Sequence, residues 1–209
     1  MKPRVLVVVT SFPQVSQTYI KVELEALRRA FDVYVVSLVP PDLPYDTGQP
    51  HVRADGIRRV IEIVREFRPH VMHTHWLRNA ATLHWVAERT GVPFTIRGHS
   101  FDVLEVRGGR GVVPALKHRL KHLARGRLAY APSYADESVR YVNGEYCLGL
   151  LAFPFGRSRL TALGMRDDRI VDCHPVIDFE RFHDHSPNGP GVMNVGAAIP
   201  KKRMEDFID

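Results

Sequence analysis

The sequence predicts an α/β protein built on a doubly wound parallel sheet. Three observations lead there. Short β-branched apolar runs alternate with amphipathic helical stretches through the N-terminal half. The first run, residues 4–9, is apolar at successive positions, the pattern of a strand covered on both faces. The helical stretches stop at Pro69 and Gly91, each just ahead of the next apolar run.

Each element follows in order. Residues 4–9 form the first strand, and the loop 10–14 is punctuated by Pro13. Ser16 is placed to cap a helix running to about residue 30, with Ile20, Leu24 and Leu27 on one face. Residues 31–39 make a second strand. Pro40, Pro41, Pro44, Gly48 and Pro50 mark a loop without regular pattern. Residues 55–67 carry Ile57, Val60, Ile61, Val64 and Phe67 at helical spacing. A strand at 70–75, a helix at 79–90 and a strand at 93–97 follow. Beyond the glycine-rich stretch 107–111, residues 114–125 read as a basic helix with Leu116, Leu120 and Leu123 as its apolar stripe. Residues 128–131 suit a short strand. Ser133 with Asp136 suits a helix start running to Val142. Residues 145–154 show no assignable pattern. A helix at 158–163 stopped by Gly164, and a strand at 169–174, complete the unit. Right-handed crossovers then place helices on both faces of a Rossmann-like sheet.

Residues 183–191 are polar, with Pro187, Gly189 and Pro190. The division expected is one domain over 1–186, a linker at 187–191, and the first strand and partial helix of a further domain over 192–209. A second α/β unit is expected beyond residue 209.

Composition narrows the class. No apolar run reaches the ~18 residues of a membrane span. The apolar start is too short for a signal peptide and runs straight into a strand pattern. Cys147 and Cys173 lie in no paired metal motif, and each suits a small buried position in a reducing compartment. The net charge is +6, and the excess is concentrated between Arg97 and Arg127, where eight basic residues face Asp102 and Glu105. Such a field favours an anionic partner. Lys117, Arg119, Lys121 and Arg125 beside a leucine stripe suit a membrane surface, although a plain solvated helix carries the same pattern. No nucleic-acid motif accompanies them.

The candidate chemistry gathers around residues 95–102, where a buried strand breaks at Gly98 into a loop carrying His99 and Asp102. Ligands of open α/β sheets sit outside the carboxyl ends of strands. Ser100 lacks the glycine-flanked elbow of a hydrolase nucleophile. The first strand–helix turn lacks the glycines of a dinucleotide site. The helix start at Ser16 could meet an anion through its free N–H groups or could be a plain capped turn. His73 and His75 share one strand face and could bind zinc, but no third ligand is evident nearby in the sequence. The alternative places them at the mouth of the cleft, beside Trp76 and Arg78. No metal site is expected.

Five segments, in order, resemble the retaining GT-B glycosyltransferases of the glycosyltransferase 4 (glycogen-synthase-like) family. Residues 11–20 look like the family's Ser-Glu-Thr-Phe-Ile loop, 70–75 its third strand, and 93–102 its Pro-x-x-x-Thr-x-His-Gly-x-Asp segment. Residues 176–182 look like the Asn-Gly-Val-Asp-x-x-x-Phe stretch, and 195–202 the start of the donor domain. Gln17, Arg97, Ser100 and Ala197 stand where the family often has Glu, Thr, Gly and Arg. The resemblance implies the N-terminal, acceptor-binding half of a GT-B enzyme that moves a sugar from a nucleotide-sugar donor to a glycan or lipid-linked acceptor. It implies a nucleotide sugar as co-substrate, no separate cofactor and generally no bound metal. This half alone is expected to be inactive. His99 and Asp102 are the implied catalytic residues, with His99 beside the transferred sugar and Asp102 shaping its loop. Lys202, Gly196 and Ser16 would meet the donor and its phosphates, where preorganised cations stabilise the leaving diphosphate. Gln17, Thr18, His75, Trp76 and Arg97 would line the acceptor cleft. A role in polysaccharide or glycolipid assembly follows from the resemblance, while the cysteines suit a cytoplasmic location and the basic helix a peripheral place at the inner membrane face. The competing reading is a non-catalytic module holding an anionic lipid or glycan.

Overall fold

Successive apolar residues at the start of the chain decide the layering. In this computed structural model, which describes residues 2–14, 17–41, 46–99, 102–103 and 135–174, strand β1 (Arg4–Ser11) is buried continuously from Val5 to Val9. A strand with both faces covered must lie inside a sheet flanked by helices on both sides. β1 indeed pairs in parallel with β2 (Asp32–Val39) on one edge and β4 (Val71–His75) on the other. The remaining strands are β3 (Val52–Arg53), β5 (Phe94–Arg97), β6 (Cys147–Ala152) and β7 (Ile170–Asp172). The sheet order is β3-β2-β1-β4-β5-β6-β7, with every pairing parallel. The doubly wound Rossmann-like class expected from the sequence is the one observed. Strand order reverses between β1 and β4, and open α/β sheets bind their ligands outside the carboxyl ends at such a point.

The helices are α1 (Thr18–Ala30), α2 (Ile57–Phe67), α3 (Ala80–Thr90), α4 (Ala135–Val142) and α5 (Pro154–Ala162), with a 3₁₀ turn at Leu77–Asn79 before α3. The stop signals act as expected. Gly91 caps α3 at φ 71°, where a glycine is unstrained. Arg68 takes a left-handed cap just before Pro69, which cannot continue α2. Alternation along the strands divides the interior in two. Leu6, Val8, Val36, Met72, Phe94, Ile96 and Leu150 join the large cluster that also contains Val60, Leu83, Val86 and Val142. Val5, Val7, Val9 and Val35 join a smaller cluster with Ile20, Leu24 and Trp76.

Three local expectations need correction. Residues 145–154 contain β6, obscured in the sequence by Gly149 and by the exposed Leu148. Gly149 brings no side chain to mark a strand period, and glycine weakens a strand interior. The helix expected from residue 158 begins at Pro154, a residue suited to a first helical turn. The N-cap position of α1 is Gln17, with no side-chain capping bond. Cys147 is buried, which pushes its thiol up to about 11, whereas Cys173 is only half-buried. Ser16, Ser133, the basic helix 114–125, the strand 128–131 and the linker and donor-side residues 183–209 lie outside the described residues. Among the described residues, no helix is long and apolar enough to cross a membrane.

Candidate functional site

The carboxyl ends of β4 and β5 present polar side chains on the face covered by α1. Residues two apart on a strand share a face, so His73 and His75 stand together. The register sets Thr95 beside His73 and Arg97 beside His75. On α1, Glu23 sits three residues after Ile20 and one before Leu24, at the margin of the buried stripe. It therefore reaches into the sheet rather than into water. Arg97 Nη1 donates to Glu23 Oε2 at 2.9 Å, and Arg97 Nη2 donates to the His174 carbonyl at 2.7 Å. His73 Nε2 lies 3.2 Å and His75 Nε2 3.8 Å from Glu23 Oε1. His73 Nδ1 meets the Thr95 hydroxyl at 2.8 Å, and His75 Nδ1 meets His99 Nε2 at 3.1 Å.

Backbone ties hold these groups in place. Asp102 Oδ2 accepts the Leu77 N–H at 2.6 Å, and Oδ1 accepts the His99 N–H at 2.7 Å. One carboxylate thus joins the loops that follow β4 and β5. Asn79 makes a second tie: its amide donates to Thr74 Oγ1 and the His75 carbonyl, while its oxygen accepts from Thr10. The ends of β1 and β4 are locked together by it. Between them Trp76 adopts φ 69°, a conformation costly for a bulky residue and held by such surroundings. At Gly98 an added Cβ would stand 3.1 Å from the Val103 side chain, so the turn out of β5 passes close to the Asp102 segment.

An aromatic cluster closes over this frame. The His99 ring stacks on His75 at 5.4 Å and contacts Tyr19 at 4.9 Å and Trp76 at 5.5 Å. Burial, followed by the nearby Arg97 charge, lowers His99 to about 4, and burial holds His75 well below the ordinary imidazole range. Both rings are neutral at pH 7. Burial alone would raise Glu23, but the close contact of His73 and the Arg97 charge help hold it at about 2. Burial pushes Asp102 up to about 6 against the two backbone bonds that favour its anion. Tyr19 is raised by burial and by the Asp102 and Glu23 charges, so its phenol stays protonated. The result is neutral imidazoles beside an internally neutralised Glu–Arg pair.

The structure brings together His99, Asp102, His75, Trp76 and Arg97, all singled out in the sequence. Asp102 accepts from the backbone of His99 and of Leu77, two bonds that fix the loop carrying the ring. Gln17 is buried at the start of α1 and Thr18 is exposed. Ser16, Gly196, Lys202, Lys117, Arg119, Lys121 and Arg125 lie outside the described residues. Sequence reasoning missed Glu23, Tyr19 and Asn79. Two histidines on one strand face and a nearby arginine favour a buried carboxylate among them, but the sequence does not say which one.

No protein-family model matches the chain, and no curated protein matches it. Solved structures do. The crystal structure of Anabaena Alr3699/HepE in complex with UDP-glucose superposes with a TM-score of 0.53 at 10% identity, over 85% of this chain and 45% of that one. A crystal structure of UDP-N-acetylglucosamine 2-epimerase gives a TM-score of 0.49 at 12% identity, over 84% of this chain and 49% of that one. This chain therefore spans less than half the length of either. The likeness to HepE is one of fold: a Rossmann-like unit of the kind found in GT-B proteins.

Proposed function

We propose that this chain is the acceptor-side domain of a nucleotide-sugar-dependent glycosyltransferase that acts with retention. The observation that carries the reading is the meeting of His75, Trp76, Arg97, His99 and Asp102 at the carboxyl ends of the strands beside the sheet's reversal point. An open α/β sheet binds its ligands there. A neutral His99 can donate or accept one hydrogen bond to a sugar hydroxyl without charge, and Asp102 fixes its backbone. The bound UDP-glucose of the fold neighbour supports a nucleotide-sugar donor. In this reading the donor's phosphates meet Lys202, Gly196 and Ser16, and the basic stretch with Lys117, Arg119, Lys121 and Arg125 holds the protein at an anionic membrane face. Residues 192–209 begin the donor domain.

The test is turnover by the protein expressed from its complete coding sequence. Sugar release from UDP-glucose and related donors is followed with lipid-linked and glycan acceptors. His99→Ala is expected to lower kcat by at least about 100-fold, the scale of one lost preorganised donor, with the fold retained by circular dichroism. Unchanged turnover removes His99 from the mechanism. Ligand binding without any turnover favours the non-catalytic module.

A further inference from the structure

We propose that Glu23, His73 and His75 form a binding site for a first-row divalent cation, with zinc as the natural probe. The sequence supplied two ligands on one strand and no third. The fold brings the third from α1. Glu23 Oε1 stands 3.2 Å from His73 Nε2 and 3.8 Å from His75 Nε2, and the three ligand atoms all lie within 4.8 Å of one another. Two ligands of a tetrahedral zinc, each bonded at ~2.0–2.1 Å, are about 3.3 Å apart. The two spacings to Glu23 Oε1, 3.2 and 3.8 Å, lie close to that value.

The contacts on the far side of each ring select the same arrangement. His73 Nδ1 faces the Thr95 hydroxyl and His75 Nδ1 faces His99 Nε2. Either partner can accept an N–H, which leaves the Nε2 lone pairs of both rings turned toward one carboxylate oxygen. Ligating histidines commonly have such a partner on the other nitrogen. His73 Nε2 adds a further sign. It is buried, on a side chain 9% exposed, and makes no hydrogen bond among the described residues despite its nearness to Glu23. A buried nitrogen without a hydrogen bond is costly, and a cation would satisfy it. Arg97 works against the ion by charge, yet it holds only Glu23 Oε2 and leaves Oε1 facing the two rings. Two imidazoles and one carboxylate form a donor set for zinc or another first-row ion, with a position left for water or a ligand oxygen.

This inference stands apart from the glycosyltransferase reading, and either can fail alone. The experiment is calorimetric titration of the tag-free chain with zinc, paired with the visible absorption of added cobalt(II). One zinc per chain is expected, with the more intense cobalt bands of four- or five-coordination. Glu23→Gln and His73→Gln should each weaken zinc binding by at least about 100-fold. Thr95→Val keeps the volume of the side chain and removes only the outer contact. It should weaken binding by about 10-fold, at the low end for such partners. His84→Gln removes a separate histidine–carboxylate pair, 3.2 Å from Glu88, and should leave binding unchanged. Absence of stoichiometric binding, binding that survives both Glu23→Gln and His73→Gln, or binding lost only in His84→Gln overturns the proposal.

Discussion

The two faces of the sheet use the same strands for opposite purposes. On the face covered by α2, α3 and α4, β4 contributes Met72 and β5 contributes Phe94 and Ile96, all fully buried in the larger apolar cluster. On the face covered by α1, the intervening residues are His73, His75, Thr95 and Arg97. A single-residue step along each strand separates a hydrocarbon interior from a network of ions and rings. Near β1 the α1 face is also apolar, with Val5, Val7 and Val9 against Ile20 and Leu24. The rings and charged side chains of this face gather at the ends of β4 and β5. Both faces are therefore packed with apolar side chains, and the ions and rings gather at one corner of one of them.

The largest expected effect tests the apolar side. Phe94→Ala removes a fully buried ring from the larger cluster and should cost about 4 kcal/mol in urea unfolding. The pairing of β5 with β4 should survive, so cobalt or zinc binding at the opposite face should persist in the folded fraction. Equal damage to both would show that the two faces are not separable.

The next effect tests the polar corner. Glu23→Ala leaves Arg97 buried, 6% exposed, with its charge partner gone. Breaking such a pair should cost about 3–4 kcal/mol, because an uncompensated buried charge is left behind. The double variant Glu23→Leu with Arg97→Met should recover most of that loss, since hydrophobic replacement of both partners is often near neutral. It would lose the cleft's polar groups while restoring stability. A double variant no more stable than Glu23→Ala would mean that the pair supports the fold itself.

Much of this contrast was legible in the sequence. Continuous apolar residues placed β1 at the centre, and helical spacing with Pro and Gly stops placed α2 and α3. His73 and His75 were assigned to one face because a strand has a fixed period of two. The sequence could not show that Glu23 meets them, because that contact depends on α1 packing across β1 and β4. It also could not show that Asp102 bonds the backbone of Leu77, 25 residues earlier in the chain. β6 escaped because Gly149 and the exposed Leu148 weaken both period and propensity. Local pattern finds elements; the partners of a buried charge are a matter of tertiary register.

The rim of the corner should show itself in pH dependence. Asp102 is raised from an ordinary carboxyl value to about 6, chiefly by burial. The native state therefore holds this proton while the unfolded chain has released it. Its contribution favours folding at low pH and is lost as pH rises from about 4 to about 6, amounting to about 2–3 kcal/mol. His99, lowered to about 4, runs the opposite way over nearly the same range, so the wild-type curve alone mixes the two. The difference between wild type and Asp102→Asn isolates the carboxyl. That difference should move against wild type as pH rises from 4 to 7 in urea titrations. A pH-independent difference would mean that the two backbone bonds hold Asp102 at an ordinary value.

The smallest effect belongs to α1 itself, which carries both kinds of ion pair. Lys21 and Glu25 approach to 2.6 Å, closer than the 2.9 Å between Arg97 and Glu23. By distance alone the first pair should be the stronger. Its side chains are 26% and 43% exposed, against 7% and 13% for the second. Water screens the exposed pair and its long side chains give up rotamer freedom to meet, so Lys21→Ala should change stability by at most about 0.5 kcal/mol. Raising salt should erase even that difference, while leaving most of the cost of Glu23→Ala in place. If Lys21→Ala matched Glu23→Ala in cost, burial would not be what separates the polar corner from the ordinary helix surface two residues away.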